Sequence, residues 1–293
     1  MNKPNLSIIV PIYNEAEVLP SILPEFIEFC RLNSFTLILV NDGSKDGSLA
    51  VIQDGTAGLG FVQIVNHKLN RGYGGALKSG IRTSNTEYSI IVDADGQHKL
   101  SDVYNLYSLI VKNDADMIVG SRKGLKGNWF RSFGKVIIRS IAKILMKVPI
   151  YDINSGMKIF RTDLAKKYMS LYPDTMAFSD IICLVFLHNR HLVMEEPIQI
   201  EERKGGKSTI GVYTAINTVY EILNIVTLFN PMKIFVPVSL VFISLGCLWG
   251  ANFLWNGKGL SIGSSFLIIS GIILFFIGLL AEQISQLRNR SMD

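Results

Sequence analysis

Cysteine is scarce in this chain. The three present, Cys30, Cys183 and Cys247, lie far apart and without metal-ligand spacing, which excludes a thiolate metal centre and fits a reducing compartment. A basic stretch followed by a short apolar run and a cleavage site is missing ahead of the first strand-like run, so no cleaved leader is expected. Neither common phosphate-binding fingerprint is complete. In 70–81 (NRGYGGALKSGI) the residue three past Gly74 is Leu77 rather than glycine, and no Gly-Lys-Ser/Thr follows. NAD and ATP readings are therefore set aside. These glycines are read as close-packing positions at a helix start whose N-terminus still suits a phosphate. The chain shows no internal repeat and no low-complexity segment.

Charge is missing from two long runs. Residues 234–255 and 260–281 contain no ionised side chain, and the second run ends at Glu282. At 1.5 Å per residue each run spans roughly 33 Å, enough to cross the ~30 Å hydrocarbon layer. The alternative, a pair of buried core helices, fits poorly with so many consecutive apolar residues. The connector 256–259 is short, which predicts an antiparallel hairpin. Lys233 precedes the first run, Arg288 and Arg290 follow the second, and only Lys258 sits between them. The positive-inside rule then places both ends in the cytoplasm. The expectation is a multi-pass protein of the cytoplasmic (inner) membrane with its large N-terminal domain facing the cytoplasm. Net charge is +5, read as attraction to anionic headgroups and phosphorylated substrates, with no nucleic acid as partner.

The first half alternates short β-branched runs with helix-like segments. Strands are expected over 6–12, 35–41, 60–66, 88–94 and 116–121, with helices near 15–31, 46–54, 72–84 and 101–113. This rhythm predicts an α/β domain with a mostly parallel sheet flanked by helices. Further on, a helix is expected over 129–147, strand-like pieces at 157–161 and 192–200, and a helix at 179–190. The stretch 211–230 is read as an interfacial helix. The organisation is thus a catalytic domain over 1–210, a juxtamembrane helix over 211–233, two transmembrane helices over 234–285 and a cytoplasmic tail over 286–293.

In sheets of this kind ligands bind beyond the carboxyl ends of the strands, and polar residues gather there: Asn14 and Glu15, Asp42, Asn66, Asp93 and Asp95, Ser121 and Arg122. The sharpest signal is DADGQH (93–98). Two carboxylates one residue apart at a strand end can face one divalent cation, and hard oxygen donors suit Mg²⁺ or Mn²⁺ with sites left for substrate phosphates. Gln97 or His98 can complete the set. A solvated Asp-rich turn is the plainer alternative. VPIYNE (10–15) and VNDGSKDGS (40–48) stand at the ends of the first two strands, where Asp42 is placed to bond a base or ribose, although each alone is ordinary strand-to-helix punctuation.

In order along the chain, VPIYNE, VNDGS, NRGYGGAL, DADGQH and VGSR resemble the inverting glycosyltransferases of family two, which have the Rossmann-like GT-A fold. The sequence is more closely similar to the polyisoprenyl-phosphate glycosyltransferases, the group of dolichol-phosphate mannose synthases and their undecaprenyl-phosphate relatives. The likeness covers nearly the whole chain, since DINSGMKIFR (152–161), RKGGKS (203–208) and LFNPMKIF before the hairpin also match. It implies a hexosyltransferase that moves a sugar from a UDP- or GDP-sugar donor to undecaprenyl or dolichyl phosphate. Pro11, Tyr13, Glu15 and Asp42 would hold the nucleotide, with Asp93, Ala94 and Gln97 also on the donor. Asp93, Asp95 and Gln97 would hold Mg²⁺ or Mn²⁺. Arg122, Arg203 and Lys207 would contact donor or acceptor phosphates, with Ser155 on the lipid phosphate. Asp152 matches an acidic position near the reacting sugar, so Asp95, Asp152 and Arg122 form the expected catalytic group. The family often has an aromatic-Arg pair after the Ser-Gly, where this chain has Met157-Lys158. A homotetramer is expected by analogy, and small residues in the hairpin (Gly246, Gly250, Ala251, Gly271, Gly278) allow close helix packing.

Between 129 and 147 the cations Arg131, Lys135, Arg139, Lys143 and Lys147 recur every fourth residue among apolar ones, and no acid offsets them. On a helix this makes a basic stripe suited to a membrane surface, with Arg131 and Arg139 as candidates for the lipid phosphate. An ordinary solvated helix face is the alternative. His188 and His191 have a spacing that could bind a metal on a helix, but with no carboxylate or Cys nearby in sequence they are read as structural or surface residues. A processive polysaccharide synthase would share the front motifs but needs more membrane helices and a Gln-x-x-Arg-Trp motif, and Trp129, Trp249 and Trp255 occur in no such context. A nucleotidyltransferase would need a Gly-rich N-terminal loop. A non-catalytic, membrane-tethered sugar-nucleotide scaffold is disfavoured because the carboxylates are all present.

Overall fold

The computed structural model describes residues 5–122, 150–200, 227, 231–257, 259 and 261–290. The chain divides into two compact units, the first described here by residues 5–122 and 150–200 and the second by 231–290.

The first unit is a seven-stranded sheet in the order β3-β2-β1-β4-β6-β5-β7. Its strands are β1 (Leu6–Ile12), β2 (Thr36–Asn41), β3 (Val62–Asn66), β4 (Tyr88–Ile91), β5 (Met117–Ser121), β6 (Lys158–Arg161) and β7 (Val193–Pro197). The runs SIIV and TLILVN are buried along their whole length, as expected for strands covered on both faces. β1 pairs in parallel with β2 and β4, and β2 with β3. β6 runs antiparallel to both β4 and β5, so the sheet is mixed. That reversal positions the site. It brings the start of β6, and the segment 152–157 that leads into it, to the same edge as the carboxyl ends of the parallel strands.

Helices cover both faces. α1 (Leu19–Asn33) and α4 (Leu100–Asn113) bury Leu19, Ile22, Leu23, Phe26, Val103, Leu106 and Ile110 against Ile8, Val10, Leu37, Leu39, Ile90 and Ile159. α2 (Ser48–Thr56) lies beside α1. α3 (Tyr73–Thr83) takes the opposite face, where a Cβ at Gly80 would sit 2.4 Å from Ile9 Cγ2. α5 (Thr162–Lys167) and α6 (Phe178–His188) complete the unit. α1 begins at Leu19 rather than residue 15, because Asn14, Glu15 and Ala16 donate their backbone N–H groups to Ser44, Ser48 and Asp46 across the loop after β2. β4 ends at Ile91 rather than residue 94 because the chain turns through Gly96 at φ 70°, a left-handed conformation that glycine adopts without strain. α5 was not expected. His191 is structural: its Nε2 lies 3.0 Å from the Tyr168 hydroxyl and its ring packs on Phe186.

The glycines of 70–81 are close-packing positions. A Cβ at Gly74 would lie 2.2 Å from the Pro173 carbonyl oxygen and 2.8 Å from that of Thr175. The Gly75 N–H donates to the Asp174 carbonyl, so the start of α3 faces the 173–175 backbone rather than an open phosphate site. Gly74→Ala is expected to destabilise the unit by about 1–3 kcal/mol, because the obstructing atoms are backbone and cannot rotate away. Thermal unfolding of the variant checks this.

The second unit is a hairpin of α7 (Met232–Trp255) and α8 (Ile262–Arg290), both long and apolar enough to cross a membrane. α8 continues past residue 281, through Glu282, to Arg290. Gly246, Gly271 and Gly278 are used within the hairpin. Added Cβ atoms there would lie 2.7 Å from Ile268, 2.6 Å from Ile243 and 2.6 Å from Phe235, which is the close backbone approach that small residues permit. The expected helix over 129–147 and, residue 227 apart, that over 211–230, with Arg131, Arg139, Arg203 and Lys207, lie outside the described residues.

Candidate active site

The carboxyl ends of β1, β2, β4 and β5 and the start of β6 converge on one edge. Pro11 pairs with Val40, and the Asp42 N–H donates to the Ile12 carbonyl, which sets Tyr13 and Asp42 side by side at the sheet end. Tyr13 is exposed while Asp42 is buried. Asp42 Oδ1 receives the Arg71 backbone N–H at 2.9 Å and lies 2.7 Å from His67 Nδ1. The other ring nitrogen of His67 lies 2.9 Å from the Ser79 hydroxyl. This buried Asp42–His67–Ser79 chain ties the end of β2 to α3. Sequence reasoning missed His67 because HKLN carries no periodicity or motif, and only the buried position reveals it.

Asp93 follows β4. Its Oδ1 accepts the Tyr73 hydroxyl at 2.9 Å, and its Oδ2 lies 3.9 Å from His98 Nε2. Gly156 leaves room beside it, since a Cβ there would lie 2.5 Å from Asp93 Oδ2 and displace the carboxylate. Burial disfavours the charged carboxylate, but His98, Tyr73 and the positive charge of Lys158 outweigh it and hold Asp93 below the usual carboxylate range. Burial and the adjacent Asp93 push the Tyr73 phenol well above its ordinary value, so it acts as a hydrogen-bond donor. Ala94 is buried, and Asp95 Oδ1 receives the Gln97 backbone N–H at 3.1 Å. A cavity of about 370 Å³ opens beside this turn, lined by Asp93, Gly96, His98, Lys99 and the α1 residues Ile22 and Phe26.

Across the edge, Arg122 and Asp152 form a two-pronged pair, with Nε to Oδ2 at 2.7 Å and Nη2 to Oδ1 at 2.8 Å. The Arg122 backbone N–H also donates to Oδ2. Asp152 is held from behind by its own N–H on Glu195 Oε1. Burial raises the pKa of Asp152, but Arg122 dominates and keeps the carboxyl below its usual range. Ser155 is buried in the turn between Asp152 and β6. The structure thus gathers Asp42, Asp93, Asp95, Arg122, Asp152 and Ser155 at one edge.

The donor set suits a hard divalent cation. Asp93 and Asp95 offer carboxylate oxygens on one turn, donors of the kind such a cation takes. Among the described residues no group of three His, Cys, Asp or Glu side chains comes together as a metal site.

Residues 7–169 match the family described as Glycosyl transferase family 2. The chain belongs to that family. It is a glycosyltransferase, and residues 230–287 match the GtrB C-terminal hairpin, which with the two apolar helices makes it a membrane protein. A dolichyl-phosphate beta-glucosyltransferase of Drosophila melanogaster is 31% identical over 227 residues, covering 70% of this chain and 69% of that protein. An undecaprenyl-phosphate 4-deoxy-4-formamido-L-arabinose transferase of Aeromonas hydrophila is 25% identical over 297 residues, covering 96% and 89%. These relatives agree with the likeness to polyisoprenyl-phosphate glycosyltransferases seen in the motifs. Glucosyl-3-phosphoglycerate synthase of Mycobacterium tuberculosis, solved with Mn²⁺, UDP and phosphoglyceric acid, shares the fold with a TM-score of 0.59. Its identity is 13%, and the match covers 76% of this chain and 78% of that one.

Proposed function

We propose that this glycosyltransferase moves a hexose-type sugar from a UDP- or GDP-sugar to a polyprenyl phosphate, undecaprenyl or dolichyl, at the cytoplasmic face of the membrane. The observation that carries the reading is one chain joining an edge of carboxylates and a paired arginine to an apolar hairpin. Relatives named for transfer to both lipid phosphates support it.

The chemistry follows from the side chains. A lipid phosphate is ionised at neutral pH, so one of its oxygens attacks the anomeric carbon without a proton being removed. The bond from that carbon to the diphosphate breaks, its electron pair leaves with the nucleoside diphosphate, and single displacement inverts the configuration. Asp152 is unsuited to act as a base, because Arg122 holds it ionised and weakly basic. Its role is to orient Arg122 and the reacting sugar. Arg122 offers cationic N–H groups to a phosphate. Asp93, Asp95 and Gln97 would hold Mg²⁺ or Mn²⁺, which supplies charge stabilisation for the departing diphosphate. Pro11, Tyr13, Glu15 and Asp42 face the nucleotide, with Asp42 fixed by His67.

His67→Ala is expected to raise the donor KM roughly tenfold and leave kcat nearly unchanged, since Asp42 loses its main side-chain partner while the reacting edge keeps its own. Steady-state kinetics at varied donor separates the two constants.

The reading is tested with purified full-length protein, Mg²⁺ or Mn²⁺, labelled UDP- and GDP-sugars, and undecaprenyl or dolichyl phosphate. Label should pass from one donor into the organic phase and be lost on chelation. No lipid label from any donor, with sugar nucleotide still bound, would favour a different acceptor or a non-catalytic scaffold.

A further inference from the structure

Lysine is seldom fully buried, yet Lys158 is completely so. Strand alternation explains where it points. Met157 and Ile159 belong to the core beneath α1 and α4, so Lys158 and Phe160 face the other side of the sheet. There Phe160 packs on Phe186 of α6, with ring centroids 6.5 Å apart. An aliphatic side chain would suit this layer. The lysine instead sends its ammonium to the carbonyl of Ser155, one rung below the site, between Ile91 of β4 and Val119 of β5. Burial pulls the Lys158 pKa below its ordinary value and Arg122 adds to this, while Asp180 and Asp152 favour the charged form, and that charge in turn acts on Asp93.

The carbonyl it grips belongs to the turn that carries the acceptor-side residues. The Ser155 N–H donates to the Asp152 carbonyl, and Gly156 abuts the Asp93 carboxylate. A shift of this turn would therefore move Asp152 and Ser155 relative to Asp93. Burying an amine is costly unless it is hydrogen-bonded, and the partner here is the carbonyl of this turn.

We propose that Lys158 is a positioning residue for sugar transfer: from beneath the sheet edge it fixes the 152–156 turn, and so sets Asp152 and Ser155 against Asp93 on the acceptor side. The proposal rests on the reading of this edge as a lipid-phosphate transfer site. Misplacement of about 1 Å at a reacting centre costs on the order of 100-fold in rate, whereas a lysine that only filled space would be replaced by methionine with little change.

The test uses full-length protein with undecaprenyl phosphate and compares wild type with K158M and K158R. Transfer to lipid, hydrolysis of the donor by water, donor KM and thermal unfolding are measured together. K158M is expected to keep donor KM within about threefold and to lose roughly 30- to 100-fold in transfer, with hydrolysis much less affected. The transfer-to-hydrolysis ratio should therefore collapse. If K158M does not fold, K158R, which keeps the charge but displaces the donor atoms, should show the same fall in ratio. An unchanged ratio in the folded variant overturns the proposal, whether turnover is retained or both reactions decline together. Wild-type protein that makes no lipid product would instead refute the transfer reading itself.

Discussion

Asp95→Ala is expected to lower sugar transfer by at least about 10²- to 10³-fold, the scale seen when one preorganised electrostatic contact to a developing charge is removed. The carboxylate sits on the turn after β4, with Oδ1 receiving the Gln97 N–H, and is not part of the hydrophobic core. Thermal stability should therefore change little. The variant should also lose its response to added Mg²⁺ or Mn²⁺, since Asp93 alone leaves the cation with one protein carboxylate. Turnover and its metal dependence measured on the same preparation check both. Undiminished transfer that remains metal-dependent would remove Asp95 from the site.

The second large effect concerns the Arg122–Asp152 pair. Arg122→Met should reduce transfer by a similar two to three orders of magnitude. Unlike the first variant it should also destabilise the fold by roughly 1–3 kcal/mol, because it leaves Asp152, with 14% of its side chain exposed, without its counter-charge. Replacing both partners by apolar residues should recover much of that stability and none of the activity. A double-mutant cycle in thermal unfolding, with transfer measured alongside, separates the two contributions. The pair also makes a pH prediction. Asp152 and Asp93 both have folded-state pKa values below their ordinary ones. Their contribution to stability is thus fully present above the unfolded carboxylate pKa near 4 and is lost as pH falls through the lower folded values. Unfolding midpoints should hold steady from neutral pH to about pH 4.5 and decline below it. Arg122→Met should show a weaker decline.

The elements legible in the sequence were those with strong patterning. Buried β-branched runs such as SIIV and TLILV can only be sheet interior, and the charge-free runs that became α7 and α8 could hardly be anything but long apolar helices. Asp93, Asp95 and Asp42 were legible because acids stand directly after such runs. α5 was missed because TDLAKK is six residues long and shows no apolar periodicity. Nor could the direction of β6 be read locally. KIFR looks the same whether it pairs parallel or antiparallel, yet the antiparallel choice is what carries Asp152 and Lys158 to the active edge. The pair Met157-Lys158 looked like a departure from family pattern, and its meaning emerges only from the lysine's inward placement. His67 illustrates the same limit, since its importance lies in two partners 25 and 12 residues away. The glycines of 70–81 went the other way. Close packing follows from what the motif lacks, and the 173–175 backbone is what Gly72 and Gly74 make room for, with Gly80 making room for Ile9.

The central claim is that the acceptor is a lipid phosphate attacking without a base. Release of nucleoside diphosphate from the donor, measured with undecaprenyl phosphate, with undecaprenol and with no lipid, tests it directly. Fast release with the phosphate and only slow release with the alcohol or water is the predicted result. Equal release in all three would contradict it.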